Sequence, residues 1–208
     1  VDTRARRDYQ DLTTLWSGGT SVPEVFAQAD ARIGSYGYTI RQSERSSSSI
    51  YSGVFCILAL NKAEDWKFGE AIALHELNDH HIFPQSYLQK RGLEGKKNQS
   101  MRNTILNRTL ISEETNQLIK AKAPRTYLHS DEVFPKGYEG RIEPHFITEN
   151  AIMAMESAKE ESDSTEVLAA FETFCVAREK AVIAEIRIRC GVTVHASSPQ
   201  DLEESEND

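Results

Sequence analysis

The spacing of apolar side chains predicts helices at the beginning of the chain. Apolar residues at helical intervals predict a first helix over 3–16, which the following Ser-Gly-Gly sequence ends. The sequence Ser-Val-Pro-Glu, from Ser21 to Glu24, predicts a capping box that opens a second helix ending near Gly34. The apolar run 50–62 predicts a buried helix, because its length and its Ala and Leu content exceed those of a usual strand.

The middle of the chain has the pattern of two strands. The short segment 76–83 ends at Pro84, as an edge strand does, and the polar, basic segment 89–103 predicts a loop. The β-branched segment 104–112 predicts the second strand. The segment therefore has the order strand, basic loop, strand.

A short helix is expected directly after the second strand. Ser112 can cap it, and Glu113 and Glu114 favour the positive end of its dipole. The predicted helix covers 113–123 and stops before Pro124, because a proline disfavours helical geometry in the residue before it. The middle thus has the order strand, loop, strand, helix.

The C-terminal part returns to helical spacing from about residue 149. Its apolar stripe predicts a core-facing helix surface formed by Val167, Phe171, Phe174, Cys175, Val182, Ile183 and Ile186. The acidic segment 196–208 predicts a disordered tail. Together these patterns predict an α+β fold that is mostly helical.

Charge separates the middle of the chain from the rest. The whole chain carries a net charge of −8, which argues against nucleic acid as a partner. Residues 79–128 contain nine Lys or Arg and four Asp or Glu, a net charge of +5, so the remainder carries −13. Such segregation favours an anion site in the middle segment, although a solvated charged face would show the same pattern.

The remaining composition indicates where such a chain works. No apolar run approaches the roughly 20 residues of a membrane span, and no secretory signal is recognisable. Three widely spaced cysteines suit reduced thiols, so we expect a cytoplasmic protein without membrane attachment. Because the sequence starts at Val1, we interpret it as a fragment of a longer protein.

Two adjacent histidines, His80 and His81, lie shortly before Pro84. Histidine suits a general base because its pKa is near neutrality. Successive residues of a regular strand point to opposite faces, so both histidines can serve one site only if the strand bends or ends here. A metal ion that keeps its waters needs few protein ligands between such a strand end and the following helix.

These residues resemble a known nuclease motif. The sequences HHIFPQSYL, LNRTLIS and ETNQLIKAKAP are similar to the HNH, or ββα-metal, endonuclease motif, including the HNH domain of RNA-guided CRISPR nucleases. They resemble still more the C-terminal nuclease region of modification-dependent restriction proteins of the GmrSD and SspE type. The resemblance covers 79–128, and the Asp-Trp pair at 65–66 and the later motif at 171–179 also fit.

The resemblance implies a role for each matching residue. It implies that His81 is the general base and that Asn107 orients this base by holding the adjacent loop. His80 and Asn116 fall on the metal-ligand positions, and Lys120 or Lys122 could contact DNA phosphate.

The residue at the first metal-ligand position departs from the family's usual pattern. The family often has Asp where this chain has His80, so Mn²⁺, Ni²⁺ or Zn²⁺ could compete with the expected Mg²⁺. Asp79 is an alternative carboxylate ligand, or an orienting partner of His80.

The resemblance also implies a domain plan and a function. It gives a helical lead-in, an embedded ββα-metal nuclease core, C-terminal helices packed on the core and an acidic tail, with boundaries at 1–75, 76–128, 129–195 and 196–208. The expected function is metal-dependent DNA hydrolysis, nicking in particular, by the nuclease domain of a bacterial anti-phage restriction protein. An N-terminal sensor or NTPase domain would lie outside this chain, which has no P-loop. The alternative is a DNA-docking module with a degenerate nuclease site.

Overall fold

The architecture is that of a computed structural model, which describes residues 3–44, 47–71 and 78–193. The chain divides into two compact units, one drawn from 1–38 and 186–208 and the other from 39–185. The predicted tail 196–208 and the first two residues of the predicted strand 76–83 lie outside the described residues.

The first unit begins with two helices, which confirms both helix predictions there. Helix α1 spans Thr3–Trp16 and α2 spans Glu24–Gly34. The predicted capping box is wrong, because the Ser21 hydroxyl donates to the Asp11 carboxylate at 2.6 Å instead of capping α2. Pro23, with φ near −55°, opens the helix without a side-chain cap, since its ring already fixes the required backbone angle.

The second unit contains most of the secondary structure. Its elements, in chain order, are α3 (Ser49–Leu60), β1 (Asn78–His81), α4 (Gln85–Lys90), α5 (Gln99–Arg102), β2 (Arg108–Ile111), α6 (Glu113–Ile119), α7 (Pro124–Leu128), α8 (Glu149–Ser157) and α9 (Ser164–Cys190), the last of which extends into the first unit's residues. Short 3-10 turns occur at Lys96–Asn98, Ile105–Asn107 and Glu143–His145. The predicted helix at 50–62 and the C-terminal helices are confirmed.

Within the described residues, the sheet consists of one antiparallel pair, β1 with β2. In its register Asp79 lies opposite Leu110, His80 opposite Thr109 and His81 opposite Arg108. Helix α6 follows β2 after one residue, so the described part of the chain is α+β and mostly helical. The strands are shorter than predicted, because a 3-10 turn replaces the first half of the segment 104–112.

Two further predictions about the middle segment need correction. The predicted loop 89–103 is only partly irregular, because α4 extends into it as far as Lys90 and α5 forms near its end and buries Arg102. Helix α6 ends at Ile119 rather than before Pro124, since Lys120 adopts a φ of +50°, outside the helical region. The sequence pattern could not show this early end, because Lys is an ordinary helix residue.

Aromatic side chains join the middle segment to α9. The ring of Phe83, just after β1, lies 5.3 Å from Phe171 and 5.1 Å from Phe174, measured between centroids. The predicted apolar stripe of α9 is buried in this way, apart from the half-buried Ile186. The segment after β1 is therefore fixed against α9.

Cys56, Cys175 and Cys190 are free thiols. No helix among the described residues combines the length and apolar character that crossing a membrane requires, and this includes the 27-residue α9.

Candidate functional site

The end of β1 and the side of α6 border one cleft of about 380 Å³. Its lining consists of His80, His81, Pro84, Gln85, Ser86, Gln89, Asn116 and Lys120. The two adjacent histidines reach the same cleft because His81 is the last residue of β1, where the alternation of a regular strand stops. Four of the six candidate residues therefore lie together.

Asn107 is fully buried behind this cleft and holds the segment that leaves β1. Its side-chain oxygen accepts a hydrogen bond from the Phe83 backbone N–H at 2.7 Å, and its side-chain nitrogen donates to the Phe83 carbonyl at 3.1 Å. The same amide also donates to the Arg102 carbonyl at 3.0 Å. The Asn107 backbone carbonyl accepts from the N–H of Ile82, so this one residue fixes the chain on the C-terminal side of His81.

His81 is partly buried and sits among polar side chains. Its Nε2 atom lies 3.0 Å from Asn103 Oδ1 and 3.0 Å from Gln85 Nε2. Burial, reinforced by the nearby Arg108 guanidinium, lowers the pKa of His81 to about 4. The imidazole is therefore neutral at physiological pH, which is the form able to accept a proton.

His80 is the exceptional side chain of the cleft. Only 7% of its surface is exposed, and its Nε2 atom is buried without a hydrogen-bond partner among the described residues. Burial lowers the pKa of His80, against the opposing effect of Glu113 and Asp79. A buried ring nitrogen without a partner is costly in a folded protein, so it needs an explanation such as a ligand.

Asp79 lies outside the cleft lining. Its carboxylate accepts hydrogen bonds from the Tyr51 hydroxyl and from Arg108 Nη1, the latter at 2.9 Å. Burial, followed by this bond to Asp79, raises the pKa of the Tyr51 hydroxyl. Of the two candidates for the carboxylate position of the motif, only His80 faces the cleft, because Asp79 is engaged elsewhere.

Asn116 is presented to the cleft by a well-anchored helix start. The Ser112 hydroxyl accepts from the Thr115 N–H at 3.1 Å, which confirms the predicted cap of α6. Buried Asp65 accepts from the Ser112 N–H and from the Thr115 hydroxyl, both at 2.7 Å. Burial alone would raise the pKa of Asp65, but these hydrogen bonds lower it overall, so the carboxylate stays charged at the helix start.

The two candidate phosphate-binding lysines have different positions. Lys120 lines the cleft directly after α6 and is exposed. Lys122 instead lies 3.6 Å from the Glu132 carboxylate, in an ion pair outside the cleft lining. The geometry therefore places Lys120, and not Lys122, beside the histidines.

A buried arginine of α9 supports the site from behind. The Arg178 guanidinium donates to the carbonyls of Leu106 at 2.7 Å, Arg108 at 2.6 Å and His145 at 3.1 Å. Two of these carbonyls flank Asn107, so the arginine fixes the backbone on either side of that residue. This arginine belongs to the motif at 171–179, whose structural role only the tertiary contacts reveal.

Sequence reasoning missed the polar neighbours of His81. Gln85, Asn103 and Arg108 contact it or one another, although they come from α4, from the residue directly after α5 and from β2. Gln85 stands within the motif sequence HHIFPQSYL and Arg108 within LNRTLIS, and these were the available signals. Asn103 and Arg108 follow no periodic pattern that would have separated them from surface residues.

The cleft has fewer metal-binding side chains than the three or more His, Cys, Asp or Glu residues that usually hold a metal ion. Within 3–44, 47–71 and 78–193, no cluster of three or more His, Cys, Asp or Glu side chains could hold a metal ion. The donors present are the unpartnered His80 Nε2 and the Asn116 amide, which line the same cleft. This pair fits a cation that keeps several waters, and it does not fit a closed structural site.

Comparisons with known proteins place the chain beside one archaeal sequence. An uncharacterized protein of Methanocaldococcus jannaschii is 28% identical over 198 residues, which cover 89% of this chain and 33% of the relative. The chain thus spans about a third of the length of that relative. No family model matches the chain. No solved structure matches it either.

Proposed function

We propose that this chain is a metal-dependent DNA endonuclease of the HNH, or ββα-metal, type, which hydrolyses phosphodiester bonds and nicks DNA. The observation that carries the proposal is the buried, unpartnered Nε2 of His80, a residue that lines the same cleft as His81 and Asn116. The chain order of two paired antiparallel strands and a helix supports the proposal, because the motif has the same order, and β1 and α6 both contribute residues to this cleft. The +5 charge of residues 79–128 supports a polyanionic substrate.

In this proposal His81 is the general base. Its neutral ring takes a proton from a water molecule as the water oxygen bonds to phosphorus and the opposite phosphorus–oxygen bond breaks. The leaving oxygen then takes a proton from solvent. Asn107 keeps the base in place through the backbone of Phe83, and Lys120 attracts the phosphate backbone.

His80 and Asn116 would hold the divalent cation. Such a cation stabilises the negative charge that develops on the leaving oxygen of a phosphodiester. Mg²⁺ is the expected metal, while an imidazole ligand also favours Mn²⁺ or Ni²⁺. We further propose that the chain serves a restriction system in the cytoplasm, and that a sensor or NTPase domain elsewhere in a longer protein selects the DNA.

A specific observation favours a second candidate function. The absence of a three-residue His, Cys, Asp or Glu cluster within the described residues is what a degenerate nuclease site would show. In that case the chain is a DNA-docking module. It would bind DNA through the basic segment, with an affinity that falls steeply with salt, and would not cut it.

A plasmid-nicking assay with a panel of divalent metals distinguishes the two functions. The wild-type chain should nick supercoiled DNA with metal and stop when EDTA is added. His81→Ala should lower the rate on the order of 10²–10⁴-fold, because it removes the base. The matched control is His129→Ala, since His129 is an exposed histidine that pairs with Glu156 outside the cleft.

Two results would contradict the endonuclease. Nicking by His81→Ala at the wild-type rate would remove His81 from the mechanism. Salt-sensitive DNA binding by the wild-type chain without nicking in any metal would establish the docking module instead.

A further inference from the structure

Three polar side chains form a closed network beside the candidate base. His81 Nε2, Gln85 Nε2 and Asn103 Oδ1 are mutually within 3.0 Å, with the two amides 2.8 Å apart. Arg108 Nη2 donates to the same Asn103 oxygen at 3.1 Å. A neutral histidine can carry its proton on either ring nitrogen, so this network decides which nitrogen is free to accept.

Arg108 fixes the direction of every hydrogen bond in the network. A guanidinium only donates, so the Asn103 atom that faces it must be the oxygen. The Gln85 atom that faces this oxygen must then be the amide nitrogen, because two facing oxygens would repel each other. Arg108 is itself held by the Asp79 carboxylate at 2.9 Å, which keeps the guanidinium from turning away.

The His81 ring faces the same two amides. Gln85 and Arg108 together occupy the two lone pairs of Asn103 Oδ1. A proton on His81 Nε2 would be a third donor at that oxygen and would also face a Gln85 N–H across 3.0 Å. A lone pair on Nε2 instead accepts the second amide hydrogen of Gln85. Its one unfavourable contact, with Asn103 Oδ1 at 3.0 Å, is weakened because the hydrogens of Gln85 and Arg108 already occupy the lone pairs of that oxygen.

We propose that Gln85 is a positioning residue whose amide, oriented by Asn103 and Arg108, keeps the proton of neutral His81 on Nδ1 and the lone pair on Nε2. The consequence for catalysis rests on the proposed nuclease function, while the tautomer itself does not. Because Gln85 and His81 both line the cleft, a substrate water that replaces the Gln85 contact meets a nitrogen ready to take its proton.

Nuclear magnetic resonance of the full chain with ¹⁵N-labelled histidine tests the proposal directly. Long-range proton–nitrogen correlation at neutral pH shows which ring nitrogen carries the proton, and the missing signals of His81→Ala identify the ring. The wild-type chain, without metal or DNA, should show His81 protonated on Nδ1. Gln85→Leu should move the proton to Nε2, which can then donate to Asn103.

Two further variants make the test specific. Gln85→Glu keeps the shape of the side chain but only accepts at this position, so it should also move the proton to Nε2 and covers the case in which Gln85→Leu does not fold. Gln89→Leu is the matched control, because Gln89 lies one turn later on α4 and lines the cleft without joining the network. It should leave the wild-type tautomer unchanged. A wild-type ring protonated on Nε2, or the same tautomer in wild type and Gln85 variants, would overturn the proposal.

Kinetics separate this proposal from the proposed function. In the nicking assay Gln85→Leu should lower kcat about tenfold with little change in KM, since the base is present in the wrong tautomer. If the wild-type chain does not nick DNA, the nuclease function fails and the tautomer result still stands. If it nicks through His81 but the ring carries its proton on Nε2, the role of Gln85 fails alone.

Discussion

Two buried histidines in the second unit have opposite surroundings. His145, at the end of a 3-10 turn, uses both ring nitrogens: Nδ1 lies 2.6 Å from the Thr109 hydroxyl and Nε2 lies 2.8 Å from the Glu64 carbonyl. Its ring also packs edge-on against Trp66 with centroids 5.6 Å apart. His80 is nearly as buried, yet its Nε2 has no partner within the described residues.

The difference in hydrogen bonding distinguishes a structural histidine from a candidate ligand. The network around His145 is complete, so the residue stabilises the fold and has no capacity left for a ligand. The unpartnered nitrogen of His80 is a loss in the folded protein unless something binds there. Completeness of hydrogen bonding, rather than burial or residue type, separates the structural histidine from the candidate site.

The largest expected effect is the loss of stability when the structural histidine, His145, is replaced by alanine. His145→Ala leaves the Thr109 hydroxyl and the Glu64 carbonyl without partners and opens a cavity beside Trp66. We expect the free energy of unfolding to fall by about 3–5 kcal/mol. Urea denaturation measures this, with His129→Ala as an exposed control that should lose less than about 1 kcal/mol. Equal losses in the two variants would contradict a structural role.

His80→Ala should reduce stability less than His145→Ala does, but it should strongly reduce metal-dependent nicking. It leaves a cavity, as His145→Ala does, but no unpaired hydrogen-bonding group, so the free energy of unfolding should fall by about 1–3 kcal/mol, less than for His145→Ala. Metal-dependent nicking should fall on the order of 10²-fold, because one of the two proposed ligands is lost. Urea denaturation without metal measures the change in stability. A titration of the nicking rate against metal concentration measures the change in activity. A stability loss as large as that of His145→Ala would make His80 a structural residue.

The metal preference of His80→Asp sharpens the same point. A carboxylate is a harder ligand than imidazole, so activity should shift toward Mg²⁺ relative to Mn²⁺. Parallel nicking titrations with the two metals measure the ratio. An unchanged ratio together with unchanged activity would count against His80 as a ligand.

The smallest expected effect concerns pH. Burial lowers the pKa of His145 to about 3, from 6.5 in an unfolded chain, so only the unfolded state gains this proton on mild acidification. The contribution of neutral His145 to stability is therefore fully present above about pH 6.5 and decreases as the pH falls below that value. Between about pH 7.5 and 5.5 the loss from His145 is about 1.4 kcal/mol. Urea denaturation across this window measures it, and His145→Gln should show a slope shallower by that amount, while an identical slope would contradict the assignment.

Several parts of the fold followed from local patterns. Helical spacing of apolar residues predicted α1 and the C-terminal helices, the Ser-Val-Pro-Glu sequence predicted α2, and length together with Ala and Leu content predicted α3. The early end of α6 and the short helices α4 and α5 could not be predicted, since they depend on tertiary contacts that no short pattern encodes. Ser112 was correctly predicted as a cap because its role is local.

The candidate site divides in the same way. The sequence alone singled out His80, His81, Asn107 and Asn116 through a resemblance in motif order, and it left open whether His80 or Asp79 occupies the carboxylate position. Only the tertiary structure directs Asp79 to Tyr51 and Arg108 and leaves His80 facing the cleft, because strand alternation and the end of β1 set where each side chain points. The network of Gln85, Asn103 and Arg108 likewise exists only after three separate elements pack together.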